Sequence, residues 1–206
     1  MIHTIYVMID LSSFTDVLVY AAQCHQQQRR KDRWGTPYIF HPIKVAELLI
    51  RAGVTDPNII AAGLTHDVIE DTGVSAVELK ERIGSTATEI VLECSDDKSL
   101  PKERRKQLQI EHALHASPGA KLVKLADKYA NLSDLLGSPP VSWSETDIRG
   151  YAVWCYAVIL AVGDVNPTFT ALFDALLPQF GIDLNMNTEE LQTQLQIYYK
   201  SICVSE

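Results

Sequence analysis

Apolar positions recur at helical spacing along almost the whole chain. Val17, Leu18, Ala21 and Ala22 share one helical face and run into a polar stretch at 26–33. Pro42 stands at a first helical position, with Ile43, Val45, Ala46, Leu48 and Leu49 behind it and Gly53 as the stop. Pro57 opens the next run, whose Ile59, Ile60, Ala61, Leu64 and Val68 predict one helix continuing through Ile69. Ser75 with Glu78, and Thr86 with Glu89, have capping-box spacing, and Gly84 between them is a C-terminal stop. Further helices are predicted over 102–115, 120–136, 144–162, 167–180 and 188–202. Asp96-Asp97, Pro118-Gly119, Pro139-Pro140, Asn166-Pro167 and Gly181 separate them. No stretch alternates like a strand between hairpin turns. The pattern predicts a single all-α domain of roughly eight to ten helices over 1–181, then a short linker and a C-terminal amphipathic helix within 182–206.

Composition narrows the class. A chain of 206 residues with 47% apolar positions can bury a core without disulfides or metal staples, which excludes a disordered chain. With 18 basic and 26 acidic residues the formal charge is 18 − 26 = −8, which argues against a sequence-independent DNA or RNA binder. It leaves room for an anionic small ligand at a local basic patch. Cys24, Cys94, Cys155 and Cys203 form no C-x-x-C pair and point to a reducing compartment. Residues 1–10 are apolar but lack a basic start, so they do not read as a signal peptide. The longest apolar run, 152–162, is too short to span a bilayer and suits a buried helix. These features predict a cytoplasmic protein.

The sharpest chemical signal is His66-Asp67-Val68-Ile69-Glu70-Asp71. On a continuous helix His66 and Glu70, and Asp67 and Asp71, form successive i,i+4 pairs on one face. Three carboxylates crowded there repel one another unless a cation compensates them. A solvated helix end before Thr72-Gly73 is the plain alternative. His41-Pro42 sits at a predicted loop-to-helix junction, where His41 can project into a cavity or serve as a cap or packed side chain. Asp127 and Asn131 share a face beside Leu122, Leu125, Ala126 and Leu132; alone, Asp127 would pair with Lys124 or Lys128 at the surface. Taken together, His41, His66, Asp67 and Asp127 supply two imidazoles and two carboxylates, a set that suits Mn²⁺, Fe²⁺ or Zn²⁺. Such an ion lowers the pKa of a water towards neutrality, and Glu70 and Asp71 remain to orient or deprotonate it.

The order of these residues resembles the HD superfamily of metal-dependent phosphohydrolases. More closely, several segments resemble the small, single-domain SpoT-type alarmone hydrolases. They are Arg29-Arg30-Lys31-Asp32, the run from Gly35 to Ile39, His41-Pro42, the H-D-x-x-E-D string, Asp96-Asp97-Lys98 with Leu100-Pro101-Lys102, and the run from Ser117 to Lys128. The resemblance covers about 16–180 and implies an HD-domain helical bundle. It also implies a Mn²⁺-dependent guanosine-3′,5′-bis(diphosphate) 3′-pyrophosphohydrolase that yields GDP or GTP and pyrophosphate. By the same resemblance His41, His66, Asp67 and Asp127 are metal ligands, and Glu70 and Asp71 handle the attacking water. Arg30 and Lys31 become phosphate or base contacts, and Asn131 and Tyr151 line the nucleotide pocket. An HD phosphatase acting on NADPH or another nucleotide is the alternative, and a non-catalytic nucleotide-binding module is a third reading. Tyr129-Ala130 departs from the family, where leucine follows Asp-Lys. The final helix falls outside the resemblance.

The local positive charge needed for a highly anionic substrate has two sources. Arg29, Arg30, Lys31 and Arg33 precede His41; Lys98, Lys102, Arg104, Arg105 and Lys106 form the second cluster. Within the second, Arg104, Arg105 and Lys106 read as a solvated charged face. Trp34, Trp143 and Trp154 read as core or lid packing rather than base-stacking platforms.

Overall fold

The computed structural model describes residues 10–203. Helix α1 (Leu11–Cys24) starts at Asp10, whose carboxylate accepts from the Ser12 N–H. A turn-rich loop follows, pinned by an isolated antiparallel bridge between Arg29 and Pro37. It delivers the chain into α2 (Phe40–Arg51). That helix begins two residues before Pro42, so His41 lies inside its first turn and not at a junction ahead of it. Pro42 is tolerated at the third position because the first four N–H groups of a helix have no intrahelical acceptor.

Helix α3 (Pro57–Thr65) is capped by Asp56, with Pro57 at its start. The predicted continuation through Ile69 is interrupted at His66-Asp67, and a separate turn, α4 (Val68–Thr72), follows. Two side chains explain the break. The His66 ring bonds the Gly63 carbonyl at 2.9 Å, the acceptor that the Asp67 N–H would use in a regular helix. The Thr65 hydroxyl donates to the Ala61 carbonyl at 2.8 Å, a back-bond that bends helices.

Helix α5 (Ala76–Ile83) carries the predicted Ser75–Glu78 capping box. The box expected at Thr86–Glu89 does not form. Gly84 closes α5 and directly precedes α6 (Ser85–Cys94), so Thr86 is already within the first turn of that helix. Helix α7 (Lys102–His115) and α8 (Pro118–Gly137, capped by Ser117) follow. Next come α9 (Glu145–Val162, with a Ser144–Asp147 capping box) and α10 (Pro167–Leu176, capped by Asn166). The stretch predicted as one helix to Phe180 tightens at Leu177–Phe180 into a 3₁₀ turn around Pro178. Helix α11 (Thr188–Cys203) ends the described chain.

The described residues form an all-α bundle with no strand. Helix α2 packs on α3 and α8, and α3 packs on α6, α8 and α1; α9 joins α8 to α7 and α11. One continuous core runs through Val45, Leu49, Val91, Val123, Ala126, Trp154 and Phe169. At Gly63 a Cβ would stand 2.6 Å from Leu49 Cδ1, so the missing side chain lets α3 approach α2 closely. That approach sets His66 beside His41. Cys24, Cys94 and Cys155 are free thiols, and no described helix is long and apolar enough to cross a membrane. The expectation about a leader at 1–10 falls almost entirely on residues 1–9, outside the described residues.

Candidate active site

Three stretches of chain bring their ligand-type side chains to one point. His41 comes from the first turn of α2, His66 and Asp67 from the break between α3 and α4, and Asp127 from the middle of α8. The His41 and His66 Nε2 atoms are 3.3 Å apart. Asp127 Oδ1 lies 3.1 Å from the His41 nitrogen and 3.7 Å from that of His66. Asp67 Oδ2 lies 3.0 Å from His66 Nε2 and 3.7 Å from His41 Nε2. His41, His66 and Asp127 are grouped closely enough to share a metal ion. The Gly63 carbonyl can only accept, so His66 Nδ1 carries the hydrogen and its Nε2 faces the centre. Both imidazoles are buried. Two ring nitrogens and two carboxylate oxygens converging in the interior fit a divalent cation by the chemistry of the donor set.

Outer contacts hold these groups in place. The Tyr38 hydroxyl donates to Asp67 Oδ2 at 2.6 Å. Asn131 Nδ2 donates to Asp127 Oδ1 at 2.6 Å, and Lys128 Nζ donates to Asp127 Oδ2 at 2.8 Å. Burial would raise the Asp127 pKa, but the Lys128 ammonium and the two imidazoles outweigh it and hold the carboxyl well below its ordinary value. Burial likewise opposes ionisation of Asp67, and His66 overcomes it. Burial lowers the His41 pKa; at His66 the Asp67 and Asp127 carboxylates outweigh burial and raise it.

Glu70 and Asp71, on α4, stand beside the centre and line the same cleft of about 230 Å³. Glu70 Oε2 accepts from the Asp96 N–H at 3.0 Å, while its Oε1 lies 3.9 Å from Lys98 Nζ. Burial raises the Glu70 pKa, and the nearby Asp96, Asp67 and Asp71 charges add to it. Asp71 is tied on both sides. One oxygen accepts from Gln28 Nε2 at 2.7 Å, and the other takes a close ion pair from Lys98. Gln28 in turn bonds His25 Nδ1 at 2.6 Å.

The second basic cluster divides. Arg104 stays at the surface, paired with Glu111 at 2.7 Å. Arg105 and Lys106 turn inward instead and line the metal cleft with Gln109, which corrects their reading as a solvated face. The physical reason is helical phase: Arg105, Lys106 and Gln109 share the inner side of α7, whereas Arg104 and Glu111, two turns apart, share the outer one. Lys106 Nζ rests 3.4 Å from the centroid of a Trp154 ring and 5.2 Å from that of Tyr151, aromatic faces rather than a carboxylate. Desolvation, reinforced by Lys128, lowers its pKa to about 8. Trp154 is wholly buried, and its Nε1 donates to the Lys106 carbonyl at 2.9 Å, which locks α9 to α7. Trp143 packs on Tyr151 with its ring tilted by 55°. Trp34 is 63% exposed beneath the Arg33 guanidinium, so it is not core.

A larger cavity of about 840 Å³ adjoins the cleft, and His41, Tyr38, Asp71, Asn131 and Tyr151 line both. Arg30 and Lys31 lie along this larger cavity. Arg30 Nη2 donates to Asn131 Oδ1 at 3.1 Å and Asp134 Oδ2 at 3.0 Å. Lys31 is fixed through its backbone, its carbonyl accepting from the Val141 N–H at 3.2 Å. The structure thus brings His41, His66, Asp67, Glu70, Asp71, Asp127, Arg30, Lys31, Asn131 and Tyr151 to these two adjoining cavities. It adds Tyr38, Gln28, Asp96, Arg105, Lys106 and Lys128.

An all-α bundle whose centre is built by a histidine, a histidine–aspartate pair and a distant aspartate is the architecture of a metal-dependent phosphohydrolase. The chain belongs to the HD-domain family, whose profile matches residues 17–154. It is 45% identical over 166 residues to human guanosine-3′,5′-bis(diphosphate) 3′-pyrophosphohydrolase MESH1, covering 80% of this chain and 93% of that protein. The Drosophila melanogaster protein of the same name is 41% identical over 172 residues, covering 83% and 96%. A solved structure of a metazoan SpoT ortholog that hydrolyses ppGpp superposes with a TM-score of 0.81 at 40% identity. That match covers 84% of this chain and 98% of the other.

Proposed function

We propose that the protein is a cytoplasmic, Mn²⁺-dependent (p)ppGpp 3′-pyrophosphohydrolase releasing GDP or GTP and pyrophosphate. The observation that carries this reading is the convergence of His41, His66 and Asp127, with Asp67 against both imidazoles, beside two further acids and next to a cation-lined cavity. Likeness to the MESH1 proteins across most of their length supplies the substrate class.

His41, His66, Asp67 and Asp127 would hold a divalent cation, which would supply Lewis acidity to a water and to the substrate when bound. The remaining chemistry belongs to side chains of the chain itself. Glu70 has one oxygen fixed by the Asp96 N–H, so Oε1 is the atom left to accept the proton of the attacking water. Its raised pKa makes it a stronger base than an exposed glutamate. Asp71, held by Gln28 and Lys98, orients that water. Arg105, Lys106 and Lys128 set positive charge around the cleft and bind the pyrophosphate group of the substrate. Arg30, Lys31, Asn131 and Tyr151 line the cavity large enough for the nucleoside and its 5′-phosphates.

The test is a Mn²⁺-supplemented assay of the purified protein with ppGpp and, separately, NADPH, with products identified by chromatography. GDP and pyrophosphate from ppGpp support the reading. Release of phosphate from NADPH with ppGpp left intact overturns the substrate assignment. Prolonged ppGpp binding without conversion overturns the activity.

A further inference from the structure

Helix α11 lies beyond the stretch matched by the HD-domain profile. It nevertheless buries Leu191, Leu195, Tyr198, Tyr199 and Ile202 against α9 and α7, the two helices that face the metal-holding centre across the cleft. The contact is keyed at one point. The Tyr198 ring covers the backbone of Gly150, where a Cβ would stand 2.7 Å from Tyr198 Cδ2 and 3.3 Å from Cγ. Glycine weakens a helix interior, so its presence in α9 answers the ring and not the helix.

The residue after Gly150 is Tyr151, which lines both the cleft and the larger cavity. Its ring centroid is 5.3 Å from that of Trp143 and 5.2 Å from that of Trp154, and Lys106 Nζ lies over both Tyr151 and Trp154. Tyr198, the Gly150 backbone, Tyr151, Trp154 and Lys106 thus form one unbroken packed series from α11 to the cations of the cleft.

We propose that α11 is a brace for the substrate-facing wall of the active site. Tyr198 is its positioning residue, holding Tyr151 and, through Trp154, the Lys106 ammonium in register with the bound nucleotide. The kinetic part of the test rests on the pyrophosphohydrolase reading; the structural part does not.

In Mn²⁺-loaded full-length protein, Tyr198→Ala raises KM for ppGpp about three- to tenfold and leaves kcat within about twofold, because binding geometry is lost while the water-handling acids are untouched. Tyr198→Phe keeps the ring and restores the wild-type KM. Gly150→Ala adds a methyl group beneath the ring and shifts KM in the same direction. Combined with Tyr198→Ala it adds nothing further. Hydrogen exchange, read without substrate, speeds up at amides 148–154 in Tyr198→Ala while those of α3 keep their wild-type rates. A helix that merely stabilised the fold would lower the folded fraction and hence apparent kcat, with KM unchanged. That result, or unaltered exchange at 148–154, overturns the proposal. If wild-type protein fails to turn over ppGpp, the activity reading falls, and the exchange data alone decide the brace.

Discussion

Asp67 meets both imidazoles and the Tyr38 hydroxyl. Asp67→Ala is expected to abolish turnover and metal uptake together, the latter measured by metal analysis after dialysis. Glu70→Gln is expected to keep its metal and its KM while kcat falls about 10²–10⁴-fold, the range ascribed to a positioned base. Lys106 gives a pH signature. Its ammonium faces Trp154, Tyr151, Lys128, Asp96, Asp127 and Cys155, and its pKa is lowered to about 8. It is charged below that value and neutral above it, so kcat/KM for an anionic substrate falls as pH rises through about 8. The unfolded chain keeps this proton to higher pH, so from about 8 up to the ordinary lysine value Lys106 makes the fold more stable as pH rises. Lys106→Arg stays charged, and the alkaline limb should move upward. His41, His66, Asp67 and Asp127 were legible in the sequence because ligand residue types stand out against apolar helices. Arg105 and Lys106 were not, because three consecutive basic residues look alike until helical phase sorts them.

At the level of elements, caps and stops were readable where one residue decides them. Ser75 with Glu78 forms its box, and Gly84 ends α5 as its position requires. Ser75 lines neither the cleft nor the larger cavity, so Ser75→Ala should cost about 1 kcal/mol, read as a lower urea midpoint at unchanged slope, with kcat and KM preserved. The misread elements share a cause, which is competition for backbone groups that a hydrophobic pattern does not record. The break at His66-Asp67 is made by side chains bonding the Gly63 and Ala61 carbonyls. It matters for the site, because a straight helix would carry His66 and Asp67 about 100° apart around its axis. At the break, both instead reach the same centre. Thr86 and Glu89 have the spacing of a box but start inside a helix that Gly84 has already begun.

On the scale of the whole molecule, the all-α class followed from periodicity, while the way the helices share the site required coordinates. Helices α2, α3, α4 and α8 gather the ligand-type residues, and α7 and α9, backed by α11, supply the opposing wall of cations and aromatic rings. Because the cation would bind only the assembled arrangement, chelation should both stop turnover and lower the melting temperature. The loss is about 2.7 kcal/mol of stability when the free metal had stood at 100 times its dissociation constant. The seam between the two walls is marked by Trp154, buried, with Lys106 Nζ 3.4 Å and Lys128 Nζ 4.7 Å from its ring centroids. Two ammonium groups so near an indole perturb its excited state, so the protein carries a built-in optical gauge of phosphate arrival. An incoming polyanion that draws the lysines off the ring should change the intensity of the blue-shifted Trp154 emission, read in a protein whose Trp34 and Trp143, both lining the larger cavity, are replaced by phenylalanine.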